Sequence, residues 1–130
     1  MKKKIAILGS TGSIGKTTLK LIKKNKNDFD IKLLTTYSNI KELSKQAEIF
    51  KVKNLIIISK KHYLLFKKKN SKKNLNIYND FTKFNYIFRN KLDYVMASIS
   101  GLTGLKPTLS IIRHTKKIAI ANKESIICAW

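Results

Sequence analysis

Apolar residues fall along this chain in short blocks of two kinds, and the two kinds alternate. Ile5-Ala6-Ile7-Leu8 is an uninterrupted apolar run, the pattern of a strand covered on both faces, and predicts a strand over about 4–9. The stretch from Thr17 to Lys24 is amphipathic at helical spacing and predicts a helix over 14–25. The alternation continues with a strand at 31–36, a helix at 40–51 and a strand at 54–58 around the run Leu55 to Ile58. The middle helix sets Ile40, Leu43, Ala47 and Phe50 on one face, with Asn39 or Ser38 as its cap. A helix at about 60–69 carries Tyr63, Leu64 and Phe66, and a weaker strand, Leu75 to Tyr78, follows. Next come an aromatic amphipathic segment, Phe81 to Phe88, and a firm strand, Tyr94 to Ile99. The turn Gly101-Leu102-Thr103-Gly104 leads into a helix that tolerates Pro107 only in its first turn. The last strand is Lys117 to Ala121.

Strands alternating with helices imply an α/β fold: a Rossmann-type, doubly wound parallel sheet with ligands bound beyond the carboxyl ends of the strands. The polar motifs all sit at such ends: Ser10 to Ser13, Thr36 to Asn39, Ser98 to Gly104 and Asn122 to Ser125. At 130 residues and 43% hydrophobic, residues 1–130 read as one domain with a closed core.

Composition narrows the setting. No apolar stretch approaches the roughly 20 residues of a membrane span. The start, Met1 to Leu8, imitates a signal peptide, but its apolar part is short and runs into a glycine turn. Cys128 is the single cysteine, in keeping with a reducing, cytoplasmic compartment. The net charge of +21 raises the question of a polyanionic partner. All basic residues except Arg89 and Arg113 are Lys, spread along the whole chain among many Asn and Ile, whereas specific nucleic-acid readers favour the bidentate fork of Arg. No specific nucleic-acid partner is expected. The dense runs, Lys60-Lys61 and Lys67 to Lys73, are expected between elements as solvated surface.

The chemistry starts at Gly9-Ser10-Thr11-Gly12-Ser13-Ile14-Gly15, between the first strand and the first helix. Glycines there let the backbone approach phosphates, and the free N–H groups and positive dipole end of the helix point at the negative charge. The spacing is Gly-x-x-Gly-x-x-Gly, with Ser10 where the first glycine of the usual dinucleotide fingerprint would stand. An NAD-preferring site places an acid at the end of the second strand, where a 2′-phosphate would be repelled. Here that end reads Thr35-Thr36-Tyr37-Ser38-Asn39, with no acid before Glu42, so NADP is permitted. Ser38 and Asn39 can donate to a phosphate, with Lys41 nearby, or cap the next helix; the two roles are compatible.

The glycine turn, the segment Ala97-Ser98-Ile99-Ser100-Gly101-Leu102-Thr103-Gly104-Leu105-Lys106-Pro107-Thr108 and the segment Ala121-Asn122-Lys123-Glu124-Ser125 together closely resemble the amino-terminal domain of the 1-deoxy-D-xylulose 5-phosphate reductoisomerase family, over essentially the whole chain. The resemblance implies an NADPH-dependent oxidoreductase of the non-mevalonate isoprenoid pathway. Such an enzyme rearranges and reduces its sugar phosphate to 2-C-methyl-D-erythritol 4-phosphate with a divalent metal, manganese or magnesium, and works as a homodimer. By position it implies NADPH contacts from Thr11, Gly12, Ser13 and Ile14 at the pyrophosphate, from Asn39 near the 2′-phosphate, where Ser38 matches only weakly, and from Asn122 and Glu124 near the nicotinamide. Lys123 matches a substrate contact, a role that suits an ammonium facing a phosphate.

Two departures qualify the likeness. Where the family commonly has glycine, a basic residue and Asn or Ser, this chain has Tyr37, Ser38 and Asn39; only Asn39 matches well, and Tyr37 can stack on adenine. The family's metal carboxylates, substrate loop and phosphate-binding serines lie beyond the Ala-Asn-Lys-Glu-Ser segment, so no metal ligand and no catalytic residue is assigned here. The expectation is a chain, truncated relative to the family, that binds NADPH without turnover. Two other readings stay open: a non-catalytic nucleotide- or polyanion-binding piece, and another NADP-dependent oxidoreductase such as a semialdehyde dehydrogenase, which would use Cys128 as nucleophile. His62 and His114 lie among lysines and are expected in solvent-exposed roles.

Overall fold

The computed structural model describes residues 2–121. The chain runs β1 (Lys3–Leu8), α1 (Ser13–Lys24), β2 (Phe29–Thr36), α2 (Ile40–Phe50), β3 (Asn54–Ile57), α3 (Lys60–Lys69), β4 (Asn76–Tyr78), α4 (Phe84–Ile87), β5 (Tyr94–Ala97), α5 (Leu105–Ile112) and β6 (Ile118–Ile120). All strand pairs are parallel, in the order β4-β3-β2-β1-β5-β6. This is the Rossmann-like α/β sheet that the alternation predicts. From β1 the chain builds outward to β4, then returns to the other side of β1. The topological switch point therefore lies between β1 and β5, and the crevice beyond their carboxyl ends is where such sheets bind ligands.

The sheet is covered on both faces, which is why its central strands are apolar without alternation. Ile5, Ile7, Ile31, Leu34, Leu55 and Ile57 pack with Leu19 and Ile22 of α1, Leu43 and Ala47 of α2 and Phe66 of α3. Ala6, Leu8, Leu33, Ile56, Val95 and Ala97 pack on the other side with Phe84, Phe88, Leu92 and Ile111. A register slip between Ile5 and Ala6 pairs Ile5 with Ile31 but Ala6 with Leu33, so Lys32 is the extra residue. That slip puts both Ile31 and Leu34 on the α1 side and sets the phase in which β2 reaches its polar end. Asn54 Nδ2 donates to the Lys32 carbonyl at 3.1 Å and satisfies the bulge.

Several elements differ from the sequence reading. A 3₁₀ turn, Lys26–Asp28, precedes β2, which begins at Phe29 rather than 31. The aromatic segment forms only one helical turn, with the Phe84 and Phe88 rings stacked at 5.8 Å. Lys60, Lys61 and Lys67 to Lys69 are not between elements: they open and close α3, exposed, the last three favourably placed at the negative end of its dipole. The expectation of solvent-exposed histidines fails. His62 is half-buried, with Nδ1 2.7 Å from Ser59 Oγ. His114 is half-buried against both the Phe84 and Phe88 rings, and this burial, with Arg113 beside it, lowers its pKa below 6.5. The start of β1 is tied across the sheet by Asp93, whose carboxylate accepts from the Lys4 N–H at 2.8 Å and faces Lys116 at 3.4 Å. Chiefly through the Lys4 bond, the Asp93 carboxyl is held below its ordinary range.

Candidate functional site

The segment that joins β1 to α1 is held on three sides. Toward β2, the Gly9 N–H donates to Thr35 Oγ1 at 2.8 Å, and the Ser10 N–H and hydroxyl both donate to the Thr35 carbonyl, at 2.9 and 3.1 Å. Toward β5, Ser98 Oγ donates to the Leu8 and Gly9 carbonyls at 2.8 and 3.3 Å. From beneath, the buried Gln46 of α2 donates from Nε2 to the Ser10 carbonyl at 3.0 Å. Ser10 is fully buried. Its hydroxyl points down to β2 and not toward a ligand, which is how a serine fits where the fingerprint has glycine.

The three glycines of the loop serve different ends. Gly9 has φ +78°, and a Cβ there would meet the Ser98 carbonyl oxygen at 2.9 Å. Gly15 is packed so tightly under the loop that a Cβ would run into the Gly9 carbonyl and lie 2.6 Å from Ser10 Cα. Gly12 is unlike both: it has φ −78° and ψ 176°, and its Cβ would meet only the Gly9 carbonyl, at 3.6 Å. Neither conformation nor packing demands glycine there, and the position is exposed. A bare backbone facing solvent at a helix start leaves room for a phosphate to approach closely.

Helix α1 begins at Ser13 with no side-chain cap and no acid in its first turn. Its first N–H groups have no intrahelical partners, and nothing negative opposes an anion set against them. Ser13 and Ile14 are exposed there. Thr11 is half-buried, its Oγ1 2.6 Å from Thr36 Oγ1. With Thr36 as donor in that contact, Thr11 keeps its own proton for an anion.

At the end of β2, Asn39 caps α2, its Oδ1 accepting from the Glu42 N–H at 3.2 Å, while Thr36 Oγ1 accepts from the Asn39 N–H at 3.2 Å. The cap uses the oxygen of the exposed Asn39 amide and not its nitrogen, so capping and donation to a phosphate are compatible. Tyr37 is 70% exposed beside it, and Ser38 is half-buried. The structure thus brings Thr11, Gly12, Ser13, Ile14, Ser38 and Asn39 to the carboxyl edge of the central strands. Asn122, Lys123, Glu124 and Cys128 lie outside the described residues. Thr35, Thr36, Gln46 and Ser98, which hold the loop, are not among the site residues that the sequence alone picks out. Their signal is polarity in apolar settings: two threonines closing a buried strand, and a glutamine beside the apolar stripe of a helix.

A cavity of about 590 Å³ lies elsewhere, lined by Ile5, Ile7, Leu21, Phe29, Tyr94 and Met96 toward the amino ends of the strands. It is mostly apolar and has no phosphate-binding backbone, so it is not the nucleotide site. Among the described residues no three His, Cys, Asp or Glu side chains gather to hold a metal.

Comparison with known proteins agrees with this geometry. A family model described as 1-deoxy-D-xylulose 5-phosphate reductoisomerase matches residues 5–130. The protein of that name from Pelagibacter ubique is 52% identical over 130 residues, which cover 98% of this chain and 34% of the relative. Its counterpart from Thermoanaerobacter pseudethanolicus is 39% identical over 127 residues, covering 98% and 33%. The solved Zymomonas mobilis reductoisomerase in complex with NADPH superposes with a TM-score of 0.88 at 32% identity, over 99% of this chain and 34% of that one. A reductoisomerase structure with NADPH, fosmidomycin and magnesium gives 0.85 at 31% identity, over 96% and 31%. The chain spans about a third of the length of these relatives. With the family match running through the glycine loop and on past β6, the chain belongs to the 1-deoxy-D-xylulose 5-phosphate reductoisomerase family.

Proposed function

We propose that residues 1–130 form the NADPH-binding domain of a 1-deoxy-D-xylulose 5-phosphate reductoisomerase, the enzyme that rearranges and reduces 1-deoxy-D-xylulose 5-phosphate to 2-C-methyl-D-erythritol 4-phosphate. The observation that carries the reading is Gly12: an exposed glycine, required by neither packing nor backbone angle, at the uncapped start of a helix on the switch point of a parallel sheet. The pyrophosphate lies against Thr11, Gly12, Ser13 and Ile14. The Ser38 and Asn39 side chains receive the 2′-phosphate, and no acid before Glu42 opposes it. Tyr37 offers an exposed ring to the adenine. Asn122 and Glu124 serve the nicotinamide end, and Lys123 the substrate. NADPH supplies the hydride when bound; this chain's residues hold and orient it, and no metal-dependent step is assigned to the described residues. The reading carries with it a cytoplasmic, homodimeric enzyme.

Calorimetric titration with NADPH and NADH, at low and raised salt, tests the proposal. Saturable one-to-one binding that survives salt and favours NADPH is the expected result. Binding that disappears with salt equally for both nucleotides would assign the affinity to the +21 charge and overturn the reading.

A further inference from the structure

The geometry points to Gln46 as a positioning residue for the pyrophosphate loop, at the closing point of a hydrogen-bonded ring that joins the two phosphate subsites of the cofactor. The inference rests on the NADPH reading above and extends it to a buried side chain on the far side of the loop. The ring can be followed bond by bond. Gln46 Nε2 donates to the Ser10 carbonyl at 3.0 Å and to Glu42 Oε2 at 3.2 Å. The Glu42 N–H donates to Asn39 Oδ1, and the Asn39 N–H to Thr36 Oγ1, each at 3.2 Å. Thr36 Oγ1 meets Thr11 Oγ1 at 2.6 Å, and Thr11 follows Ser10 in the chain. Ser10-Thr11 belongs to the pyrophosphate loop and Asn39 to the 2′-phosphate side, so the ring fixes one subsite relative to the other.

Three features make Gln46 the residue on which the loop depends. Both partners of its nitrogen are acceptors, so the amide orientation is determined: the oxygen cannot face them. Among the described residues its buried Oε1 finds no hydrogen-bond partner. A leucine or methionine would avoid that cost, so the two donated bonds are what an amide contributes here. Most directly, the peptide between Ser10 and Thr11 is planar and trans, so its C=O and N–H point in opposite directions. By drawing the Ser10 carbonyl inward, Gln46 turns the Thr11 N–H outward, to the side where Gly12 and Ser13 are exposed. It acts on the cofactor only through this peptide.

Titrating NADP⁺, which tolerates acid, into the wild-type chain, Gln46→Glu and Gln46→Met between pH 5.5 and 8 tests the role. The carboxyl that Gln46→Glu introduces can donate to the Ser10 carbonyl when protonated; when ionised it cannot, and it adds negative charge beside Glu42 and below the loop. Gln46→Glu is expected to bind at least tenfold more weakly than wild type at pH 8 and to recover to within about threefold at pH 5.5. The wild-type profile, measured at each pH, separates the effect of the substitutions from titration of the cofactor's own 2′-phosphate. Gln46→Met, of similar volume but without a donor, is expected to be about tenfold weaker at both pH values with an unfolding midpoint near wild type. Wild-type binding together with equal binding by both variants overturns the positioning role and leaves the NADPH site standing. A wild type that does not bind NADP⁺ overturns the site itself, and the role with it.

Discussion

Two glycine-containing turns follow the strands on either side of the switch point, and they are built on different principles. The turn after β1 is packed: Gly9 faces the Ser98 carbonyl, Gly15 faces Ser10, and Thr35, Ser98 and Gln46 all bond to the loop. The turn after β5 is open. Gly101 has φ +73°, much like Gly9, yet among the described residues a Cβ there would meet nothing within 4 Å, and Thr103 Oγ1 donates within the turn to the Ser100 carbonyl at 3.0 Å. One turn needs glycine for space and the other for backbone angle alone. The first therefore holds its shape before any ligand arrives, which lowers the ordering cost of binding, while at Gly101 in the second an added methyl has room.

Alanine at each position separates the two principles. Gly15→Ala should be the most damaging, because the new methyl meets backbone atoms of Gly9 and Ser10 that cannot yield without moving the loop. A loss of about 3 kcal/mol in urea unfolding is expected, with NADPH binding abolished. Gly9→Ala combines a left-handed φ with the Ser98 contact and should cost about 2 kcal/mol. Gly101→Ala meets only the backbone penalty, about 1 kcal/mol. Equal losses at Gly9 and Gly101 would show that the packing around the first turn contributes nothing, and the comparison would fail.

The same contrast explains what could be read from the sequence. The strand–turn–helix setting of Gly9 to Gly15 was legible because apolar runs and glycines are local signals. So was the cap at Asn39, since capping preference is a property of a few adjacent residues. What holds the loop was not legible. Thr35, Gln46 and Ser98 reach it from separations of 26, 36 and 89 residues, and their partners are mostly main-chain atoms that carry no sequence signature. The bulge at Lys32 was hidden for a related reason: a lysine inside a strand looks like an ordinary exposed position until the register of its neighbour is known. The flanking lysines of the histidines point to solvent, while the rings that bury His114 lie 26 and 30 residues away.

His114 gives the β5–β6 half a pH dependence with a definite sign. Burial against Phe84 and Phe88 favours the neutral imidazole in the folded chain, so its pKa there is below the unfolded value of 6.5. Its contribution to stability is present above that value and is lost as pH falls through the folded pKa. Urea midpoints should thus decline between pH 7.5 and 5.5, and His114→Phe should flatten that decline while leaving NADPH affinity at pH 7.5 unchanged, because the ring lies away from the glycine loop. A decline of the same slope in the variant would assign the effect to other groups.

Gly12→Ala should have the smallest effect on the fold and is for that reason the most discriminating change in the loop. At φ −78° an alanine is unstrained, and its Cβ would sit 3.6 Å from the Gly9 carbonyl, an ordinary contact. Stability should therefore stay within about 0.5 kcal/mol of wild type, or rise slightly as the unfolded chain loses freedom. Affinity for NADPH should nonetheless fall at least tenfold, about 1.4 kcal/mol, because the methyl occupies the space through which the phosphate approaches the α1 N–H groups. Gly15→Ala loses binding because it loses the loop, whereas Gly12→Ala keeps the loop and should still lose binding. Only a ligand at that exposed backbone makes the two outcomes agree.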